Sequence, residues 1–285
     1  CRSGYVRLPL PGGCRLGPRP VDIHLAGLAS MGAEVELEGI AVTLRRKGPL
    51  HGVDFTLRLP SVGATMTLLM AACCAQGRTV LRGAAREPEI GDMIAFLCAC
   101  GADISGYGTS ILTVQGGRPL GGAVHAPLPD RIAAATYAAA LAAAGGDIRI
   151  TGCDPALYGA FLQFLSQTGV QVENGPDWAG LARDPAVPLR GGVQLCADAW
   201  PAFATDTAPL AAAVLLAAEG KSEIFDRLFP NRFACAAGFA AMGAEVTAKG
   251  RQLMIAGGSR LHGAAVTAPD LRGGAALLIA ALAAE

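Results

Sequence analysis

One signature recurs along these 285 residues: an apolar helical stretch, a short glycine-containing turn, then a strand. It reads LASMGAEVEL, LCACGADISG, LSQTGVQVEN and AAMGAEVTA, with Gly32, Gly101, Gly169 and Gly243 at successive separations of 69, 68 and 74 residues. That period is too long for ankyrin or tetratricopeptide units. It requires the chain to fold as copies of one mixed supersecondary unit, and so excludes an all-helical or all-strand fold.

A second segment keeps step with the first. MAACCAQGRTVLRGA, ALAAAGGDIRITGC and LLAAEGKSEIFDRL each run from an alanine-rich helix through glycine into a stretch that alternates with period two. Glycine after the last periodic residue stops a helix, and the alternation marks a half-buried strand. Each unit is therefore about βαβα with further strands. Ala and Gly stand where Leu is usual, which lets helices approach closely and predicts helices buried inside a layer of sheets. In LGGAVHAPLPDRIAAAT, Pro127 and Pro129 interrupt the pattern and Asp130 is placed to cap the next helix. This sets a domain boundary, with domains over 1–128 and 129–285.

The chain is 52% hydrophobic and 16% charged, and its 23 basic residues balance 23 acidic ones. Broad affinity for nucleic acid or an anionic membrane surface is excluded on that balance. Apolar runs such as GATMTLLMAACCA and APLAAAVLLAA fall short of a membrane span and read as core helices. Nine cysteines are too sparse and irregular for a disulfide scaffold, so a reducing cytosol is inferred. Neither the Cys73–Cys74 pair nor Cys98-x-Cys100 is followed by a second pair or a histidine at zinc spacing, and no metal is assigned.

The stretch LPGGCRLGPRPVDIH places Cys14 behind two glycines and beside Arg15 and Arg19. The positive charges favour a thiolate, and the glycines allow a loop to cover a site. An ordinary loop cysteine among surface arginines is the bland alternative, and local composition leaves both open.

LPGGCRLGPRPVDIHLAGLASMGAEV closely resembles the catalytic-loop region of the UDP-N-acetylglucosamine enolpyruvyl transferase (1-carboxyvinyltransferase) family. Further matches follow in order: PSVGATMTLLMAA, AAREPEIGDMIAFLCACGADISGYG, LPDRI, DWAGL, PAFATD, FPNRF with MGAEV, and APDLRGGAALL. The resemblance implies an α/β fold of α+β repeats: two domains built from βαβαββ units, helices inside and sheets outside (an inside-out α/β barrel), with the active site in the cleft between them. It also implies a cytoplasmic enzyme opening peptidoglycan synthesis, which needs no metal or organic cofactor. Its partners are small-molecule substrates, UDP-N-acetylglucosamine and phosphoenolpyruvate, with no nucleic acid or membrane partner; oligomeric state is left open.

Residue by residue, the resemblance makes Cys14 the general acid over the C3 carbon of phosphoenolpyruvate and the residue alkylated by fosfomycin. Arg19, Arg232 and Arg272 match arginines that bind substrate, and a planar guanidinium suits both phosphate and carboxylate. Asp206 matches the aspartate near the sugar hydroxyl, whose proton must be taken or held for attack. It could instead cap the APLAAAV helix, or do both. For the nucleotide, the resemblance implies Arg19, Pro20, Val21, Asp22 and Ile23, the Ser61, Val62 and Gly63 turn, and Leu228.

The chain also departs from the family. It begins with cysteine and lacks a Lys-Asn pair and a preceding N-terminal portion, as well as a C-terminal segment with a further arginine. The fold is thus expected to be incomplete at both ends and the isolated segment inactive. Leu59 stands where some members have a lysine; Arg58, read as lying on a strand, is expected to point to the opposite face. Two alternatives stay open: a non-catalytic truncated homologue that binds UDP-sugar or a partner, and a 5-enolpyruvylshikimate-3-phosphate synthase, against which the PGGC loop and RPVDIH argue.

Overall fold

The computed structural model describes residues 3–10 and 21–285. They separate into two compact units whose boundary lies between Leu128 and Pro129, each with its own apolar core. The first unit holds β1 (Tyr5–Pro9), α1 (Asp22–Ser30), β2 (Glu34–Glu38), β3 (Ala41–Arg45), β4 (Asp54–Thr56), α2 (Val62–Cys74), β5 (Gly77–Arg82), α3 (Pro88–Ala99), β6 (Asp103–Ser105) and β7 (Ile111–Gly116). The second holds α4 (Arg131–Ala144), β8 (Gly146–Thr151), α5 (Gly159–Gln167), β9 (Gln171–Asn174), β10 (Trp178–Arg183), β11 (Gln194–Asp198) and β12 (Phe203–Ala204). It continues with α6 (Ala208–Leu215), β13 (Ser222–Asp226), α7 (Ala236–Ala241), β14 (Val246–Lys249), β15 (Gln252–Ile255) and α8 (Leu271–Leu282).

The sequence repeat is a structural one. In four places a strand, a helix and a hairpin form a sheet in which the last strand pairs between the other two: β1-β3-β2, β5-β7-β6, β8-β10-β9 and β13-β15-β14. Each helix ends in the same double closure. The Gly32 N–H donates to the Ala29 carbonyl and the Ala33 N–H to Leu28, and the same pair of bonds recurs at Gly101, Gly169 and Gly243. The glycines have φ between +91° and +102°, the left-handed conformation that this ending requires and other residues resist. The chain then returns: His51, Gly121, Arg190 and His262 each donate a backbone N–H to the carbonyl just before the turn glycine.

A leading strand joins two of these sheets in parallel, β4 beside β5 and β11 beside β13. The intervening helices α2 and α6 make these βαβ crossovers. In the second unit α4, α6 and α8 pack on one another. All eight residues of α6 are buried, and α4 turns Ala135, Ala138, Ala139 and Ala142 inward, the one-face spacing of a helix. Alanine is what allows three helices to meet at a common centre while sheets cover them. Asp130 caps α4 as expected, accepting the Ile132 and Ala133 N–H groups. No helix is long and apolar enough to cross a membrane among the described residues.

Candidate active site

In the second unit the chain brings Asp206, Arg232 and Arg272 together, and the backbone N–H of Leu228 donates to Asp226, which lies beside Arg232. Asp206 lies in a single 3-10 turn, 205–207, that leads from β12 into α6. Arg272 sits in the first turn of α8, where the Asp270 carboxylate accepts the backbone N–H groups of Arg272 and Gly273. Arg232 follows the turn after β13. Its Nη2 donates to Asp206 Oδ1 at 3.2 Å, and Arg272 Nη2 stands 3.7 Å from Asp206 Oδ2. One carboxylate therefore spans two guanidinium groups.

The alternative of Asp206 as a helix cap does not hold: α6 has no side-chain cap. The extra 3-10 turn carries the carboxylate off the helix start and toward the arginines.

Arg232 is the unusual member. Its side chain is 1% exposed, its guanidinium stacks over the Phe229 ring with Cζ 4.4 Å from the centroid, and its Nε donates to Thr205 Oγ1 at 3.0 Å. Asp226 Oδ2, fully buried, lies 3.7 Å from the same Nε. Arg232 Nη1 is buried without a hydrogen-bond partner among the described residues. A buried charged donor left over after its neighbours are satisfied is costly unless it serves an acceptor supplied from elsewhere. Arg272, 29% exposed, sits on the open side. The group is suited to a compact anion held by planar, charged donors.

In the first unit, Val21, Asp22, Ile23, Ser61, Val62 and Gly63 gather where α1 and α2 begin. Ser61, Val62 and Gly63 are not the free-standing turn expected from sequence. Ser61 caps α2 by accepting the Ala64 N–H, and Val62 and Gly63 are its first residues. Their N–H groups are thus among the donors a helix start leaves without an intrahelical acceptor. Gly63 has a steric reason as well: a Cβ there would stand 3.1 Å from His24 Nε2. Asp22 opens α1 and Ile23 is buried in the core below it.

Arg58 corrects the reading that put it on a strand facing away. β4 ends at Thr56, so alternation no longer governs Arg58, and its Nη2 and Nε both donate to Asp22 Oδ2, at 2.6 and 3.1 Å. Burial acts to raise the Asp22 carboxyl, and the hydrogen bond and charge of Arg58 outweigh it, leaving the pKa below its ordinary value. Burial also lowers His24 below the usual 6.5, against the opposing pull of Asp22. Pro60, just ahead of a capping serine, was the available signal that the strand had already ended.

Cys14, Arg19 and Pro20 lie outside the described residues. Among the other cysteines, Cys73 and Cys235 are buried, and burial first of all pushes their thiols up to about 11 and about 12. Cys74, Cys98 and Cys196 are exposed. Cys196 is on an outward position of β11, so strand alternation exposes it. No cluster of three or more His, Cys, Asp or Glu able to hold a metal ion occurs among the described residues.

Residues 2–285 match the family described as EPSP synthase (3-phosphoshikimate 1-carboxyvinyltransferase). The chain belongs to this carboxyvinyltransferase family. Within it, the similar curated relatives are named UDP-N-acetylglucosamine 1-carboxyvinyltransferase. Those of Cellvibrio japonicus (strain Ueda107) and Acidiphilium cryptum (strain JF-5) are 41% and 42% identical over 284 residues. Each alignment takes in all of this chain and 67% of the relative, so the chain spans about two thirds of the length of these carboxyvinyltransferases. Among solved structures, the enolpyruvyl transferase NikO from Streptomyces tendae superposes with a TM-score of 0.86 at 26% identity, over 99% of this chain and 67% of that one. EPSP synthase from Acinetobacter baumannii, at TM-score 0.68 and 21% identity over 98% of this chain and 67% of that one, shares the fold.

Proposed function

We propose that the protein transfers the enolpyruvyl group of phosphoenolpyruvate to the 3′-hydroxyl of UDP-N-acetylglucosamine, releasing phosphate, as a cytoplasmic enzyme at the start of peptidoglycan synthesis. The observation that carries this is the buried Arg232 guanidinium, with Asp206 on one nitrogen and another nitrogen unpaired, beside Arg272. A compact, multiply charged anion such as phosphoenolpyruvate needs that combination of fixed cations. The choice of sugar acceptor rests on 41–42% identity to the relatives so named, against 21% for the solved EPSP synthase.

Each residue then has a task. Arg232 and Arg272 bind the phosphate and carboxylate of phosphoenolpyruvate. Asp206 takes the proton of the sugar hydroxyl as its oxygen bonds to the C2 carbon. Cys14 delivers a proton to the C3 carbon, completing a tetrahedral adduct. Loss of phosphate from C2 with a proton from C3 restores the double bond and balances the reaction. Arg19, Pro20, Val21, Asp22, Ile23, Ser61, Val62, Gly63 and Leu228 bind the UDP-sugar, with the N–H groups at the start of α2 suited to an anionic or carbonyl oxygen. Cys14 is on this reading the residue an epoxide phosphonate such as fosfomycin alkylates.

The test is phosphate release by the full-length protein from phosphoenolpyruvate with UDP-N-acetylglucosamine or shikimate 3-phosphate as acceptor. Release with the first and none with the second is expected. The reverse would move the protein to the shikimate branch of its family, and release with neither would favour a binding protein.

A further inference from the structure

Asp226 matches no residue assigned a role above, yet it is completely buried and meets Thr205, Leu228 and Arg232 at the candidate anion site. Its Oδ1 accepts the backbone N–H groups of Leu228 and Phe229, at 2.8 and 2.7 Å, and so folds the turn between β13 and Arg232. Its Oδ2 accepts the Thr205 hydroxyl and lies 3.7 Å from Arg232 Nε.

The polarity of this chain of bonds is fixed. An arginine nitrogen can only donate, so Thr205 Oγ1 must accept from Arg232 Nε and spend its one proton on Asp226. The carboxylate thus accepts on both sides at once, from the turn at Oδ1 and from the Thr205 hydroxyl at Oδ2.

Two carboxylates therefore share one buried guanidinium, and they are not equivalent. Asp226 is sealed in and tied to the backbone, whereas Asp206 is 39% exposed and holds Arg232 through a single bond. A buried cation needs a permanent counter-charge. With Asp226 filling that need, Asp206 is free to leave Arg232 for a substrate proton, and Arg232 to turn to a substrate anion.

We propose that Asp226 is the positioning residue of the phosphoenolpyruvate site, orienting the Arg232 guanidinium through the Thr205 hydroxyl while its other oxygen fixes the turn that bears Leu228. The proposal rests on the reading of Arg232 as a phosphoenolpyruvate ligand.

The experiment is steady-state kinetics of the full-length protein with four variants, each checked by circular dichroism and thermal melting. Thr205→Val deletes the relay but leaves the bonds of Asp226 to the turn. It should raise KM for phosphoenolpyruvate about ten- to a hundredfold, the worth of a hydrogen bond to a charged group, with kcat and KM for the UDP-sugar moving far less. Thr205→Ser keeps the hydroxyl and should show no such rise. Asp226→Asn cannot accept on both sides, so it should raise KM for both substrates. A purely structural role would lower Tm and the active fraction, hence kcat, without that split. Arg232→Lys is the control on the underlying reading: unchanged KM for phosphoenolpyruvate there overturns both. A rise with Arg232→Lys and none with Thr205→Val keeps the reading and overturns the role of Asp226.

Discussion

Asp206 Oδ1 and Arg232 Nη2 meet at 3.2 Å across a steep gradient of exposure, the aspartate side chain 39% exposed and the arginine 1%. The carboxylate reaches solvent, whereas the guanidinium is enclosed. On the proposed function that asymmetry separates the tasks of the pair, with Arg232 holding the substrate anion and Asp206 exchanging partners.

Asp206→Asn should therefore leave UDP-sugar binding largely intact and lower kcat by roughly 10² to 10⁴, the range for losing a positioned acid or base. Turnover assays paired with calorimetric titration of the UDP-sugar check this. Unchanged turnover would remove Asp206 from the chemistry.

Stability should carry a pH signature from His24. Its folded pKa lies below 6.5 because burial disfavours the charged form, so the unfolded chain binds a proton that the folded chain refuses. The stability contributed here is full above pH 6.5 and declines as the pH falls below it. Denaturant midpoints measured from pH 7.5 to 5.5 should fall less steeply in His24→Gln than in the parent. Equal slopes would contradict the assignment.

The centre of the second unit has no room to spare. Ala212 is fully buried in α6, and α6 packs between α4 and α8. Ala212→Leu should destabilise by about 1–3 kcal/mol through overpacking, read from chemical denaturation. A neutral result would mean that the three helices are not tightly joined.

Gly169 isolates backbone conformation from crowding. Its φ is +101° and a Cβ there would touch nothing within 4 Å. Gly169→Ala should cost about 1–2 kcal/mol from the left-handed conformation alone. No loss on denaturation would remove the conformational explanation for the recurring glycine.

Much of the fold was legible because its determinants are local. Gly32, Gly101, Gly169 and Gly243 mark helix ends that the backbone cannot make without glycine, and Asp130 caps the helix that immediately follows it. The candidate site was suggested by resemblance and not by spacing: Asp206, Arg232 and Arg272 lie far apart in sequence, and it is the fold of the second unit that brings their side chains together. Asp226 went unnoticed because an aspartate at a strand end reads as a turn residue. Its link to Arg232 runs through Thr205, which lies 21 residues earlier in the 3-10 turn ahead of α6. Arg58 was misread because strand alternation was carried past the end of β4.

The most direct test of the proposed chemistry is the product formed in deuterium oxide from UDP-N-acetylglucosamine and phosphoenolpyruvate by the full-length protein. Protonation at C3 followed by loss of a proton from the same carbon predicts a UDP-sugar vinyl ether with deuterium in its vinyl group, detected by mass spectrometry and proton NMR. A phosphorylated sugar with free pyruvate, or a vinyl ether containing no deuterium, would contradict addition and elimination at this site.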